Sequence, residues 1–231
     1  MKNANNTDKK SEEKSQVVSR QRVIDHGEVY TSEREVGAML DLVKDETERI
    51  DSRFLEPACG TGNFLIEVLR RKLKVVGERY RQTQSSFEAQ ALMAVSSLYG
   101  IDILPDNVEL CRKRLFDFFE EKYRSLFKDK ADERVLKSAA YILGKNIVHG
   151  DALTMKLVGK DEGICFTEWA LCGGKFKGRE FRYSDIQQGE NPDDDLFNYS
   201  KHQSDSGESV FLANPVREIP LTNYWELYGR E

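Results

Sequence analysis

The stretch FLEPACGTGNFL, from Phe54 to Leu65, decides how the whole chain is interpreted. Its first residues predict a short β-strand, which ends at the glycine-containing turn Gly60-Thr61-Gly62. Residues Asn63 to Tyr80 then carry apolar side chains at helical spacing. Glycines at the carboxyl end of a strand let the backbone approach a ligand closely and turn into a helix whose free amides face that ligand. The stretch therefore predicts a strand–turn–helix unit that binds a ligand.

The residues around the turn indicate the charge of that ligand. A dinucleotide fingerprint requires a third glycine three residues after Gly62, where this chain has Leu65. Glu56 stands at the end of the strand, where its carboxylate would repel a pyrophosphate but would attract an ammonium or sulfonium centre. The turn therefore favours a positively charged ligand.

Two further acids end the next two predicted strands, Asp102 in YGIDI and Asp151 in VHGDAL. The carboxyl ends of parallel strands meet at the sheet edge where open α/β sheets bind ligands. An acid after the second strand can accept from ribose hydroxyls, and one after the third strand can accept from an adenine amino group. A single acid is equally well explained as a solvated strand end or a helix cap, but three behind one glycine turn favour a binding site.

Strands and helices alternate along most of the chain, which predicts an α/β fold with a doubly wound, mainly parallel sheet. Gly163 to Leu171 could add a fourth strand, and Lys175 to Tyr183 a fifth strand or a hairpin arm. The predicted organisation has four parts. They are a polar, disordered arm (1–20), a ligand-binding domain (21–184), a loop or linker with seven acids and one lysine (185–209), and an apolar packing segment (210–231).

Composition excludes several classes of protein. The length of 231 residues predicts one large domain or one domain with ragged ends, and the formal net charge of -5 requires any binding to nucleic acid to be local. No apolar run approaches the roughly 20 residues of a membrane span, and the N-terminus is too polar for a signal peptide. We therefore expect a cytoplasmic protein without membrane contact. The four cysteines and three histidines show no zinc-ligand spacing, so no metal site is expected.

Three motifs resemble a known family when they are taken in order. EPACGTGNFL, YGIDILPDNVELCRKRL and NIVHGDAL are similar to the first three motifs of the S-adenosylmethionine-dependent DNA methyltransferases, in particular the adenine-N6 enzymes of restriction–modification systems. The upstream GEVYTSEREVGAMLDLV resembles the segment that in those enzymes closes over the methionine part of the cofactor. The resemblance covers residues 27–157 and implies a Rossmann-like class I methyltransferase fold with S-adenosylmethionine as cofactor.

The resemblance also implies a role for each residue that matches a motif. Tyr30 and Thr31 would line the methionine end of the cofactor, Glu56, Ala58, Gly60 and Gly62 its amino-acid end, Asp102 and Ile103 the ribose and adenine, and Asp151 with Ala152 the adenine amino group.

The catalytic motif of that family, (Asp/Asn/Ser)-Pro-Pro-(Tyr/Phe), is absent from the sequence. Its first side chain and a backbone carbonyl accept the exocyclic N–H bonds of a flipped base, while its aromatic ring stacks on that base. The nearest string is Asn214-Pro215, the candidate catalytic pair, although Asn before Pro is also a common turn. Trp169, in FTEW, lies at a better position in the chain, but a core or interface side chain explains it better.

Two basic segments are candidates for contact with DNA. The helical segment from Arg70 to Arg81 is also typical of a solvated helix face. The segment KFKGREFRY interleaves cations with aromatics, as phosphate contact and base stacking require, although a protected edge strand has the same pattern. The candidate DNA contacts in it are Lys175, Lys177, Arg179 and Arg182.

Three functions remain open at this point. The first is an adenine-N6 DNA methyltransferase of a restriction–modification system, whose sequence specificity comes from a specificity or restriction partner subunit because few residues follow the cofactor motifs. The second is a non-catalytic subunit that binds S-adenosylmethionine, which the missing motif favours. The third is a methyltransferase that acts on RNA, protein or a small molecule.

Overall fold

The structure is a computed structural model of the 231-residue chain, and it describes residues 24, 31–188, 199–203 and 209–229. For residues 188, 199–203 and 209–212 the description covers the backbone. The predicted arm 1–20 lies outside the described residues. The helices are α1 (Glu33–Asp41), α2 (Lys44–Glu48), α3 (Asn63–Tyr80), α4 (Gln84–Ser96), α5 (Pro105–Phe127), α6 (Glu133–Asn146) and α7 (Tyr183–Gln188). The strands are β1 (Phe54–Glu56), β2 (Leu98–Asp102), β3 (Ile147–Asp151), β4 (Lys156–Leu157), β5 (Cys165–Cys172), β6 (Lys175–Arg182), β7 (Tyr199–Gln203), β8 (Ser209–Ala213) and β9 (Arg217–Asn223).

Strands β1, β2 and β3 form the sheet that carries the predicted motifs. They pair in parallel, with Leu55 opposite Tyr99 and Ile101 opposite Val148, and β4 adds to β3 in the antiparallel direction. The parallel pairing brings the carboxyl ends of all three strands to one edge of the sheet. Membership of the Rossmann-like class I fold stays a prediction.

The two faces of this sheet are covered differently. Leu98 and Ile147 point to the face on which helices α3 to α6 pack, and they join the larger apolar core. The opposite face belongs to a smaller core, formed by Tyr99, Ile101, Val148, Ile164, Phe166 and Tyr183. Among the described residues, the cover of this second face is therefore β5 and the short helix α7 rather than a second layer of long helices.

The segment expected as a fourth parallel strand lies in another sheet. β5 pairs antiparallel with β6, and β6 with β9, in a separate three-stranded sheet. β5 and β6 are joined by Gly173-Gly174, which adopt φ angles of 57° and 79° as a tight hairpin requires. The prediction that β5 extends the parallel sheet was wrong, because alternation of apolar residues does not reveal the direction of pairing, whereas the hairpin-arm alternative for β6 is confirmed.

The C-terminal residues pack on the helical layer. Tyr224 donates its hydroxyl proton to the buried Glu88 carboxylate at 2.7 Å, and the Leu227 amide donates to Ser138 Oγ at 3.3 Å. Both residues are buried, as is Ile219. Within the predicted loop 185–209, residues 185–188 complete α7, and β7 pairs with β8 as a two-stranded ribbon.

Lys72 is a fully buried lysine of α3 whose hydrogen bonds connect this helix to the residues that precede β1. Its ammonium donates to the carbonyl of Ile50 at 3.1 Å, to the carbonyl of Ser52 and to Ser97 Oγ at 2.5 Å. Burial lowers the pKa of Lys72 to about 7. With this pKa, the buried Lys72 amine gains or loses its proton near neutral pH.

This amine predicts an unusual dependence of stability on pH. A lysine with a pKa of about 7 in the folded protein and about 10.4 in the unfolded one binds fewer protons when folded, so folding gains as the pH rises. We expect the free energy of unfolding to increase by about 2 kcal/mol between about pH 7 and 9. The Lys72→Met variant, measured by urea unfolding at both pH values, is expected to lack this increase. An equal increase in both proteins would contradict the prediction.

Candidate functional site

The glycine turn follows β1 and enters α3 through two residues with positive φ. Gly60 has φ 51° and Gly62 has φ 87°, a region that residues with a Cβ rarely adopt. A Cβ at Gly62 would lie 2.7 Å from the Sγ of Cys111 on α5. No side chain caps the start of α3, and its first turn carries no acid, so the amides of that turn remain available to a ligand. The turn therefore has the close backbone approach that its sequence predicts.

Asp102 joins the end of β2 to the glycine turn. Its Oδ2 accepts from the Gly60 amide at 2.8 Å, and its Oδ1 accepts from the Leu104 amide at 2.9 Å and from Asn107 Nδ2 at 3.3 Å. The Cys59 amide also donates to the Ile101 carbonyl, at 2.9 Å. A carboxylate can accept about four hydrogen bonds, so one acceptor position remains for a ligand hydroxyl. Asp102 thus positions the turn, a role that its place at a strand end did not predict.

Glu56 is a half-buried carboxylate at the end of β1. Within the described residues it has one polar contact, a long hydrogen bond of 3.4 Å from the Ala58 amide to its Oε1. Burial raises the pKa of Glu56, because the charged form loses hydration that the hydrogen bond from the Ala58 amide only partly offsets. A half-buried carboxylate with so few polar contacts favours the binding of a positively charged ligand.

The end of β3 lies at the same edge. Asp151 accepts from the Leu153 amide at 2.9 Å, and this hydrogen bond lowers the pKa of Asp151. Ile103 is half exposed, and its carbonyl lies 3.0 Å from His149 Nε2, which ties the ends of β2 and β3 together. Because side chains alternate along strands, Glu56, Asp102 and Asp151 all belong to the face of Phe54, Leu98 and Ile147.

Thr31 is connected to the turn, since its carbonyl accepts from Asn63 Nδ2 at 3.1 Å. Tyr30, predicted beside it, lies outside the described residues. The following helix α1 begins as its sequence indicates, with Ser32 and Glu35 forming a capping box. The segment before the glycine motif thus reaches the first residue of α3.

Arg114 holds the turn from the side of α5. Its guanidinium donates to the Thr61 carbonyl at 2.6 Å, to Thr61 Oγ1 at 2.9 Å and to Asn63 Oδ1 at 2.9 Å. Asn107, Cys111 and Arg114 are spaced by four and three residues and so share one face of the helix. Sequence analysis did not identify Arg114 as a residue that holds the turn. The signal that could have found it was the presence of polar side chains on a helix face that is otherwise apolar.

Cys59 and Cys111 are buried beneath the turn. A hydrogen bond with Cys111, together with burial, raises the pKa of the Cys59 thiol. Since the thiolate is the reactive form, Cys59 is a packing residue and not a nucleophile.

The residues considered for catalysis lie outside the parallel sheet, Trp169 in β5 and Asn214 and Pro215 between β8 and β9. Trp169 is 3% exposed and belongs to the larger core, which confirms the core interpretation and leaves no ring surface for a base. Asn214 and Pro215 are half buried between β8 and β9, where the neighbouring Val216 amide donates to the Glu180 carbonyl at 2.8 Å. A catalytic role for Asn214 and Pro215 stays a prediction.

The candidate DNA contacts on β6 are partly neutralised by acids. Lys177 pairs with Glu218 at 3.1 Å, and Arg179 pairs with Glu168 at 3.1 Å. Lys175 and Arg182 are exposed. Contact of these four residues with DNA stays a prediction.

The described ranges contain neither a candidate metal centre nor a candidate membrane span. No group of three or more His, Cys, Asp or Glu side chains in them is arranged to hold a metal ion. No helix in the part of the chain that the structure describes has the length and apolar content needed to cross a bilayer.

Comparison with known proteins yields one partial similarity. A segment of 75 residues is 33% identical to a protein of Methanocaldococcus jannaschii named "Putative type II restriction enzyme and methyltransferase". This match covers 31% of the chain and 6% of that protein, so the chain spans only a small part of its relative. No protein-family model matches the chain, and no solved structure matches it.

Proposed function

We propose that this chain is a methyltransferase of a restriction–modification system, which binds S-adenosylmethionine and transfers its methyl group to adenine N6 in DNA. The observation that carries the proposal is the half-buried Glu56 carboxylate beside a glycine turn at the carboxyl edge of three parallel strands. The similarity to a restriction and methyltransferase protein supports the same reading.

The residues at this edge fit S-adenosylmethionine by charge and by hydrogen-bonding character. The methionine part of the cofactor is a zwitterion that also carries a sulfonium. Its carboxylate suits the uncapped amides at the start of α3, and its cationic centres suit Glu56. The remaining acceptor position of Asp102 would take a ribose hydroxyl, and the exposed Ile103 side chain would lie against the adenine ring. Bound there, the cofactor supplies a methyl group on a positively charged sulfur.

Methyl transfer to DNA provides the direct test of this function. The full chain is incubated with S-adenosylmethionine labelled in its methyl group and with unmethylated genomic DNA, and the DNA is then hydrolysed to nucleosides. We expect the label in N6-methyladenine, and none in a poly(dG)·poly(dC) control that contains no adenine. Label in cytosine, or in added RNA or protein alone, would contradict the proposed acceptor.

A second function is favoured by a specific observation, the missing Pro-Pro-aromatic motif together with the buried Trp169 ring. In this case the chain binds the cofactor but has lost the chemistry, and no methyl transfer takes place even beside a catalytic partner. Calorimetric binding of S-adenosylmethionine with no methyl transfer, even beside co-purified partners, supports this second function. Absence of cofactor binding overturns both.

A further inference from the structure

A basic groove runs between α3 and α5 on the outside of the helical layer. We call it the helix valley and define it by its charged lining residues, Arg70, Lys74, Glu78, Arg81 and Lys122. Its volume is about 590 Å³, and its floor includes the apolar side chains of the same two helices. Four cations and one acid thus line a groove in a chain whose formal net charge is -5.

Although Arg70 pairs with Glu67 at 3.0 Å, acids neutralise only part of the charge of the helix valley. Its lining acid, Glu78, lies 3.9 Å from Lys74, and both side chains are more than half exposed, so this ion pair is weak. Among the described residues, Arg81 and Lys122 form no ion pair. On β6, two of the four cations are likewise paired with acids, each at 3.1 Å. The valley therefore presents Arg81 and Lys122, together with the weakly paired Lys74, to an anionic partner.

One face of α5 runs from the candidate cofactor site to the helix valley. Arg114, Phe118 and Lys122 follow one another at intervals of four residues and therefore lie along one face of α5. Arg114 holds the glycine turn, and the guanidinium of Arg70 and the ammonium of Lys122 lie 5.0 and 5.6 Å from the centre of the Phe118 ring. Eight residues of helix separate Arg114 from Lys122, which is about 12 Å.

We propose that the helix valley binds the phosphate backbone of the DNA whose base enters the candidate site. This inference rests on the proposed function, because it assigns the route of that substrate. Duplex DNA rises about 3.4 Å per base pair, so a duplex along the valley places its phosphates on Lys122 about four base pairs from the glycine turn. The farther Arg81, about 27 Å along α3 from Asn63, corresponds to about eight base pairs.

The test is equilibrium binding of a fluorescein-labelled duplex of about 30 base pairs, followed by anisotropy without cofactor at several salt concentrations. We expect Lys122→Glu to weaken binding by at least about fivefold at low salt and to lower the slope of log K against log salt by about 1. We expect the Lys74→Glu/Lys122→Glu variant to lose at least about tenfold.

The matched control is Lys113→Glu, which makes the same charge change in the same helix. Lys113 precedes Lys122 by nine residues, and at about 100° per residue the two side chains lie on opposite faces of α5. We expect this control to bind DNA within about twofold of the parent chain. Equal losses in both variants, no loss in the double variant, or no DNA binding by the parent chain would overturn the proposal.

Two further measurements separate this inference from related ones. Displacement of the duplex by poly-L-glutamate at equal charge concentration would assign the valley to acidic proteins and overturn its assignment to DNA. Calorimetry with S-adenosylmethionine is expected to give the same affinity for Lys122→Glu as for the parent chain. Loss of DNA binding with retained cofactor binding thus supports the valley, whereas absent cofactor binding refutes the proposed function alone.

Discussion

Replacing Gly62 by alanine is expected to destabilise the protein by about 3 kcal/mol and to abolish measurable cofactor binding. A left-handed conformation costs a residue with a Cβ about 1–2 kcal/mol, and Gly62 has φ 87°. The added Cβ would also lie 2.7 Å from Cys111 Sγ, which is fully buried in the core and cannot move away freely. Urea unfolding and calorimetry with S-adenosylmethionine measure the two effects.

Gly77, which lies within the helix that follows Gly62, offers a matched control for this substitution. A Cβ at Gly77 would meet nothing within 4 Å, so Gly77→Ala is expected to stabilise the protein by about 0.5–1 kcal/mol. The double variant Gly62→Ala/Cys111→Ala removes the close contact but not the backbone strain, so its cost is expected to be less than the sum of the single costs. Additive costs, or unchanged binding in Gly62→Ala, would show that the turn is not built as described.

Replacing Glu56 by glutamine is expected to weaken S-adenosylmethionine binding by about 10- to 100-fold, because a hydrogen bond to a charged group contributes about 1.5–3 kcal/mol. The same substitution is expected to raise the free energy of unfolding at pH 7. The pKa of Glu56 is raised in the folded protein, so its stabilising contribution is present at low pH and is lost as the pH rises through the folded value. At neutral pH the ionised carboxylate therefore costs stability.

The pH dependence of binding distinguishes this role from simple packing. Affinity of the parent chain is expected to fall as the pH is lowered through the raised pKa of Glu56, whereas the affinity of Glu56→Gln is expected to stay flat there. Glu162→Gln, at an exposed loop carboxylate, is the control and is expected to change neither quantity. Parallel pH profiles for Glu56→Gln and the parent chain would contradict a charge-based role.

The elements around the candidate site could be predicted from sequence because local chemistry marks their ends. Helix α3 starts directly after Gly62, as predicted, and α5 starts with Pro105 in its first turn, where proline is favoured. The short apolar runs that end at Glu56, Asp102 and Asp151 are strands, and their parallel pairing follows from the helices between them.

Non-local features could not be predicted in this way. The pairing of β6 with β9 joins residues about 40 positions apart, and nothing in either strand specifies the other. The dipeptide Gly173-Gly174 was a local signal for the hairpin of β5 and β6. Sequence placed Asp102 at the correct edge, but its bond to the Gly60 amide depends on how closely the turn approaches β2.

The central claim is that Glu56 and the glycine turn hold a positively charged methyl donor, and isothermal titration of the full chain with S-adenosylmethionine tests it most directly. The account predicts one saturable site per chain, with a dissociation constant below about 1 mM that Glu56→Gln weakens at least about tenfold. A folded chain that releases no heat of binding up to about 1 mM ligand, or that binds equally well without the Glu56 carboxylate, would contradict it.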